Sequence, residues 1–368
     1  MGNSQAYQDS LFIARAIYLA KKGCYTSKPN PRVGCVLVKD NKIIAEGWHV
    51  RAGQGHAEVE ALKNTQDAQG VTAYVTLEPC SHFGRTPPCA EALVKAKVSR
   101  VVIAMQDPNP LVAGKGIAIL EQAGISVTCD ILRSEAVAIN TGFITRMTTG
   151  KPYVISKMAM SLDGRTAMAS GESKWITSPQ ARQDVQKLRA ESGCVLTGVE
   201  TVLADDPSMN VRLGDDISVE QPLRVILDSQ LRTPVHAKLF ALAGRTLILT
   251  GSAEQHKIDA LTQAGAEVYT LNVTREGRLD LNEVLKFLAK QHVNDVLVEA
   301  GSILNGALME QGLIDECIVY MAPSILGSSG RGLCAMPHIH KMIDKTELEF
   351  VDVRKVGVDL RLQYKVQK

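Results

Sequence analysis

Four side chains stand at spacings that suit metal-assisted hydrolysis. His56 and Glu58 lie two apart in "GHAEVEAL", and Cys80 and Cys89 bracket the loop of "TLEPCSHFGRTPPCAEAL". One imidazole and two thiolates are three zinc ligands, and three protein ligands with an open fourth position is the arrangement zinc uses for catalysis. Zinc lowers the pKa of a bound water to about 7 and so supplies hydroxide at neutral pH. Glu58 is surplus to that ligand set, where a carboxylate can take the proton from water and pass it to a leaving group. H-x-E followed by Pro-Cys and a second Cys is the signature of the zinc nucleobase deaminases. A structural zinc is the other reading. It would bring a fourth ligand, for which His82 inside the loop is the candidate, and it would have no use for Glu58.

The elements around these residues must aim them at one point. About Ala6 to Lys22 reads as an amphipathic helix, and "VGCVLVKDNKIIAEGWH" as a hairpin turning at Lys39-Asp40-Asn41-Lys42. "HAEVEALKN" reads as a helix, "TAYVTLE" as a buried strand, "CAEALVKAKV" as a helix, and "RVVIAMQDP", "GKGIAILEQAG" and "ISVTCD" as strand, helix and strand. His56 and Cys89 then open helices and Cys80 follows a strand, so backbone N–H groups and the helix dipole favour thiolates. Such alternation predicts an α/β sandwich with a largely parallel sheet.

From Leu132 to Gly150 the period weakens, and "MTTGKP" reads as a connector. The boundary falls near residues 145–151 and divides the chain into 1–147 and 148–368. The second part carries strands at "YVISKMAMS", "CVLTG", "LRVILDS", "RTLILT", "EVYTLN", "DVLVEAG" and "ECIVYMAP", then two alternating strands with no helix between them. That is an α/β domain closed by an antiparallel hairpin. No G-x-G-x-x-G opens a strand–helix unit. Instead a strand ends at Glu299, a Gly-Ser turn follows, and a helix begins near Leu304, which presents backbone N–H groups to phosphate. Lys157 shares a strand face with Ala159 by period two and is a polar candidate for the same site.

The chain has 368 residues, 45% hydrophobic and 22% charged, with a formal net charge of +2. Two domains follow from the length, each able to bury a core. The near-neutral charge argues against a nucleic-acid or membrane-surface partner, so any anionic ligand is held by local groups. Six of the eight cysteines show no framework spacing, which fits a reducing cytoplasm. The N-terminus lacks the order of a signal peptide, and no apolar run would span a bilayer.

"NPRVGCVLV", "HAEVEAL", "VTLEPCSHFGRTPPCAEAL" and "AMQDPNPLVAGKGI" together resemble the deaminase half of the bifunctional riboflavin-biosynthesis deaminase/reductases. The eight-residue gap between the cysteines marks this family off from deaminases with a two-residue gap. "KMAMSLDGRTA", "SGESKWITS", "LRAESGCVLTGVETVLADDPSMNVR" and "LRVILDS" resemble its reductase half. The resemblance implies a cytidine-deaminase-like α/β/α sandwich followed by a dihydrofolate-reductase-like α/β domain. It implies one zinc per chain on His56, Cys80 and Cys89, with Glu58 as proton shuttle, and substrate contacts at Asn30, His49, His82, Arg85 and Asn109. For the reductase it implies NADPH contacts at Ala159, Trp175, Thr201, Asp205, Ser229, Gly301, Ser302, Ile303, Leu304, Asn305, Gly306 and Ala307. Substrate contacts there would be Ser173, Arg189, Met209, Arg212 and Glu299, beside Lys157. Two arginines suit a ribose 5-phosphate, because the guanidinium fork binds phosphate bidentately.

The function so implied is hydrolytic deamination of 2,5-diamino-6-ribosylamino-4(3H)-pyrimidinone 5′-phosphate. NADPH-dependent reduction of its ribosyl chain would follow, giving 5-amino-6-ribitylaminouracil 5′-phosphate. The partners are small phosphorylated pyrimidine nucleotides, in a homo-oligomer (dimer or tetramer). Two alternatives stand beside it: a deaminase of another base with a non-reducing nucleotide-binding second half, and a zinc-stabilised nucleotide-binding module without turnover.

Overall fold

Apolar side chains on both faces of short strands decide the first half of the molecule. A computed structural model describes residues 2–81, 88–110, 112–214 and 216–367, with the side chains of 2–4 left aside. The chain folds as two units, Met1–Gly150 and Lys151–Lys368. The first contains α1 (Gly2–Lys21), β1 (Gly34–Lys39), β2 (Lys42–Trp48), α2 (Ala57–Lys63), β3 (Thr72–Val75), α3 (Cys89–Lys95), β4 (Arg100–Ile103), α4 (Lys115–Gln122), β5 (Ser126–Thr128), α5 (Arg133–Ala138) and α6 (Thr141–Thr149).

Among the described residues its strands form one sheet in the order β2-β1-β3-β4-β5. The sheet is mixed: β3, β4 and β5 run parallel, while β1 is antiparallel to both β2 and β3. Cys35, Leu37, Ala73, Val75, Val101 and Ile103 pack on one face with Ala61, Leu93 and Leu120 of α2, α3 and α4. Their sequence neighbours Val36, Val38, Tyr74 and Val102 pack on the other with Ile13, Ala16 and Ile17 of α1 and Ala136 of α5. The result is an α/β/α sandwich. Its helices cover the two apolar faces of the central strands β1, β3 and β4, as their hydrophobic runs require.

The stretch read as weakly periodic is in fact two helices, α5 and α6. "TGFITRMTT" is rich in β-branched residues of low helix propensity, so packing has overridden the local preference. Ala136 and Ile139 are buried, Phe143 and Ile144 pack against the same cluster, and the Asn140 side chain pairs with both the N–H and the carbonyl of Arg32 at 2.8 and 2.9 Å.

One glycine controls how closely the His56 helix approaches the sheet. A Cβ at Gly47 would sit 2.4 Å from both the Ala57 carbonyl oxygen and the Ala61 nitrogen of α2. Gly47→Ala must therefore push α2, with Glu58 on it and His56 at its start, away from β2. We expect a cost of about 1–3 kcal/mol to the first unit from overpacking. Zinc stoichiometry should fall with it, read by thermal unfolding and metal analysis. Retention of both at wild-type values would show that α2 is free to shift.

The second unit contains β6 (Tyr153–Ser161), β7 (Arg165–Ala167), α7 (Pro179–Glu191), β8 (Cys194–Gly198), α8 (Val199–Asp205), β9 (Leu223–Leu227), β10 (Thr246–Thr250), α9 (Gln255–Gln263), β11 (Ala266–Thr270), α10 (Leu281–Lys290), β12 (Asp295–Val298), α11 (Ser302–Glu310), β13 (Glu316–Ala322), β14 (Arg331–Gly332), β15 (Leu348–Val356) and β16 (Asp359–Val366). Its main sheet has the order β11-β10-β9-β8-β12-β6-β13-β16-β15 among the described residues. The pairs from β11 to β13 are parallel, and β13-β16-β15 are antiparallel, so the hairpin closes one edge as the sequence pattern predicts. α10 and α11 bury Val284, Leu288 and Leu308 on one face against Val154, Leu196, Val225 and Val298. α8 and α9 bury Val199, Val202 and Leu261 on the other against Ile226 and Ile248. No helix of the described residues is long and apolar enough to cross a membrane.

Candidate active sites

The three predicted metal ligands converge. His56 caps the start of α2, Cys89 is the first residue of α3, and Cys80 lies beyond the end of β3. Their ligand atoms all fall within 4.8 Å of one another, and among the described residues no fourth donor joins them. His56 Nδ1 lies 3.2 Å from Cys89 Sγ and 3.5 Å from Cys80 Sγ. A tetrahedral zinc with sulfur at about 2.3 Å and nitrogen at about 2.0 Å would set nitrogen and sulfur roughly 3.6 Å apart. The donors therefore fit that ion with little movement. The Cys80 thiol is held below the ordinary cysteine range by the Cys89 thiol against the cost of burial, with His56 and the Cys89 N–H adding to the effect. That N–H lies 3.3 Å from Cys80 Sγ, the helix-terminus donor anticipated for a thiolate.

Glu58, in the first turn of α2, is 3% exposed. Burial pushes its carboxyl up to about 7, with the His56 charge opposing and the Cys80 charge adding to the rise. A carboxyl that is buried, adjacent to the cluster and outside the ligand set is placed to exchange protons with whatever occupies the open side.

The other residues expected around this centre divide. His82 and Arg85 lie outside the described residues. His49 is 2% exposed, and both its ring nitrogens are engaged. Nδ1 faces the Gly55 carbonyl at 3.1 Å, which can only accept, so Nε2 accepts from Asn30 Nδ2 at 3.1 Å. The ring stands edge-on to His56 with centroids 5.5 Å apart. His49 is thus buried beside His56 with both ring nitrogens engaged, and burial, its largest influence, lowers its pKa and favours the neutral ring. Asn30 reaches the same cluster through it. At Asn109 the backbone builds a turn: its N–H donates to Asp107 Oδ1 at 2.8 Å, and its carbonyl accepts from Val112 and Ala113.

One residue was missed in the sequence. Glu78, the acid of "LEPC", is 3% exposed, and its carboxylate accepts four backbone N–H groups. Asp107 and Gly114 donate to Oε2 at 3.1 and 3.0 Å, and Gly116 and Ile117 to Oε1 at 2.9 and 3.3 Å. The available signal was a lone acid inside a buried strand end, which needs partners of this kind.

In the second unit the substrate candidates form an ionic cluster. Arg189 on α7 grips Glu299 with Nε and Nη2 at 2.5 and 3.0 Å, and its Nη1 donates to the Asn210 carbonyl at 3.0 Å. Lys157 Nζ lies 3.5 Å from the same carboxylate, on the β6 face that also carries Ala159. Arg189, read as a fork for phosphate, is therefore spent on Glu299. Arg212 is exposed, with its N–H on Gln186 and Nη1 on Asn210 Oδ1 at 2.5 Å, and is the arginine better placed for an anion. Met209 is 2% exposed and packs with Val195 and Leu297. Ser173 is half-buried in the loop before α7.

The cofactor candidates also split. α11 begins at Ser302, two residues before the predicted start, with Gly301 as N-cap and no side chain capping it. Its first amides are left for a phosphate, and nothing lies within 4 Å of a Cβ built on Gly301. That uncapped, open turn fits the pyrophosphate of a dinucleotide. Gly301, Ser302 and Ile303 face outward, but the end of the predicted run does not. Asn305 is 1% exposed and bonded to Ser156 Oγ at 2.7 Å and the Ala300 carbonyl at 2.8 Å. A Cβ on Gly306 would meet the Ala335 carbonyl oxygen at 2.0 Å, while Leu304 and Ala307 pack on the core. These four serve the helix seat, because a helix can show only one side to a ligand. Trp175 is 70% exposed with the Arg182 guanidinium 4.3 Å over its ring, so it is not a core residue. Asp205, ending α8, pairs with Lys174 at 3.0 Å, Thr201 lies on the same helix, and Ser229 follows β9 and accepts from the Gly251 N–H.

Comparison with known proteins places both units. Residues 6–105 match the family described as "Cytidine and deoxycytidylate deaminase zinc-binding region", and residues 152–362 match "RibD C-terminal domain". The riboflavin biosynthesis protein RibD of Escherichia coli K12 is 49% identical over 96% of this chain and 98% of its own. That of Haemophilus influenzae is 47% identical, over 97% of each. Among solved structures, Acinetobacter baumannii RibD superposes with a TM-score of 0.91 at 49% identity, covering 99% of this chain and 100% of that one. The Thermotoga maritima diaminohydroxyphosphoribosylaminopyrimidine deaminase/5-amino-6-(5-phosphoribosylamino)uracil reductase does so with 0.86 at 31% identity, over 99% and 100%.

Proposed function

This chain belongs to the RibD family of riboflavin-biosynthesis enzymes, and from that membership we propose which of its residues carry each activity. The enzyme is bifunctional. It deaminates 2,5-diamino-6-ribosylamino-4(3H)-pyrimidinone 5′-phosphate and then, with NADPH, reduces the ribosyl chain to the ribityl chain. The match of the C-terminal unit to the RibD reductase domain sets aside the non-reducing alternative.

His56, Cys80 and Cys89 hold the zinc. The ion, when bound, supplies a water acidic enough to act as nucleophile near neutral pH. Glu58 takes one proton through its carboxylate and returns it to the departing ammonia. His49 and Asn30 brace the His56 side, and Asn109, with His82 and Arg85 from the stretch between the two cysteines, contacts the nucleotide. In the reductase unit NADPH supplies the hydride that reaches C1′. The Gly301-Ser302-Ile303 turn binds its phosphates, with Ala159, Trp175, Thr201, Asp205 and Ser229 along the cofactor. Lys157, Glu299 and Arg189 set the polar wall against the substrate, and Arg212 and Ser173 take its phosphate end.

The partners are small phosphorylated nucleotides, without nucleic acid. A homo-oligomer is supported by β15, an edge strand on which Leu348, Phe350 and Val353 are 42%, 64% and 54% exposed. An uncovered apolar edge is a template for pairing with a second copy. A cytoplasmic setting fits six cysteines that neither pair in disulfides nor belong to the zinc site.

The single observation that carries the reading is the convergence of one imidazole and two thiols with a buried carboxyl outside the ligand set. A two-stage assay tests it. Ammonia release should require zinc and be indifferent to NADPH, and chelation should abolish it while NADPH oxidation on supplied deaminated product continues. NADH serving as well as NADPH would count against the cofactor assignment.

A further inference from the structure

We infer that Glu78 is a positioning residue of the deaminase, one carboxylate that locks the Asp107–Asn109 turn and the start of α4 to the strand end carrying Cys80. One residue, Pro79, separates it from that ligand, yet it is outside the group of ligand atoms that His56, Cys80 and Cys89 bring together. Its two oxygens instead gather four backbone N–H groups: one at Asp107, one at the N-cap Gly114, and two at Gly116 and Ile117 in the first turn of α4. It also accepts no side-chain donor in that set. A carboxylate fully engaged by main-chain donors fixes backbone and leaves nothing for a ligand.

The packing says the same independently. A Cβ on Gly116 would stand 2.0 Å from the carbonyl oxygen of Pro79, so α4 rests directly on the backbone between Glu78 and Cys80. The Glu78 N–H donates to the Met105 carbonyl at 3.0 Å, which joins the same two segments a third time. Cys80 and the Asn109 turn are thereby one rigid piece. The inference rests on the proposed contact of Asn109 with the nucleotide: given that contact, Glu78 sets where substrate is held relative to the metal centre, without touching either.

Glu78→Gln keeps the volume but turns an NH2 group toward two of the four N–H donors. The expected result is a rise in KM for deamination of about tenfold or more, with kcat and zinc stoichiometry within about twofold. Amide exchange should speed up at residues 107, 114, 116 and 117, and NADPH oxidation on the same chain should stay at wild-type rate. A lower kcat with zinc loss and unchanged KM would overturn the inference, assigning Glu78 to the Cys80 side alone. Unchanged exchange at those amides would do so as well. Should Glu78→Gln unfold the deaminase unit, Gly116→Ala decides the matter, because it keeps the carboxylate and lifts α4 from Pro79; the same KM increase supports the inference and an unchanged KM ends it. Asn109→Ala separates the two readings. If it raises KM while Glu78→Gln does not, the positioning role fails; if neither does, the proposed Asn109 contact fails.

Discussion

Glu58→Gln should lower ammonia release by about 10²–10⁴-fold while leaving zinc in place, the loss expected when a positioned general acid–base group is removed. The variant is isosteric, and the side chain it replaces is 3% exposed in the first turn of α2, so the seat of His56 is undisturbed. Stability should not suffer either. Burial disfavours the ionised carboxyl at this position, and a neutral amide escapes that penalty. The second activity gives an internal control, because NADPH oxidation on supplied deaminated product uses residues of the other unit. Metal analysis, steady-state ammonia release and NADPH oxidation on one preparation then separate three outcomes. Loss of ammonia release alone supports the shuttle. Loss of zinc would make Glu58 a ligand, contrary to a cluster of His56, Cys80 and Cys89. Wild-type ammonia release would remove the role altogether.

The metal centre was legible because its signal is local. Residue type and spacing place His56, Cys80 and Cys89 at helix starts and a strand end, and those elements deliver them to one point. The central strands were legible for the same reason, since β1, β3 and β4 place apolar residues on both faces. What escaped is what depends on distant partners. Arg189 suits phosphate by type, and only the fold brings Glu299, 110 residues away, into its fork. Asn305 and Gly306 belong to a run that faces outward at one end and the core at the other, a division set by two residues of helix start. α6 carries little propensity of its own and owes its helix to burial against the sheet. Glu78 reads from the sequence only as the end of a buried strand, and its four donors come from segments about 30 to 40 residues later.

Glu299→Gln should destabilise the reductase unit by about 3 kcal/mol at neutral pH and flatten its acid sensitivity. Burial alone would raise this carboxyl, but Arg189 first and Lys157 second outweigh it and hold it at about 2, against an ordinary 4.5. Because the folded value is depressed, the stabilisation is complete above about 4.5 and is lost as pH falls from there through about 2. The side chains of Glu299 and Arg189 are each 12% exposed, so solvent screens the pair little. Gln keeps the shape and one acceptor for the guanidinium. It leaves the buried Arg189 charge without its counter-ion, the circumstance in which breaking an ion pair costs most. Other acids that titrate on unfolding are common to both proteins and cancel in the difference. Unfolding midpoints measured from pH 3 to 7 should therefore diverge at the neutral end and approach one another toward pH 3. Parallel curves across that range would mean that Glu299 is not held in its charged form by Arg189 and Lys157. NADPH oxidation adds a second reading, since Lys157 loses the carboxylate that fixes it at 3.5 Å. If the cluster is the polar wall of the substrate site, the variant loses rate at neutral pH even at temperatures where it remains folded.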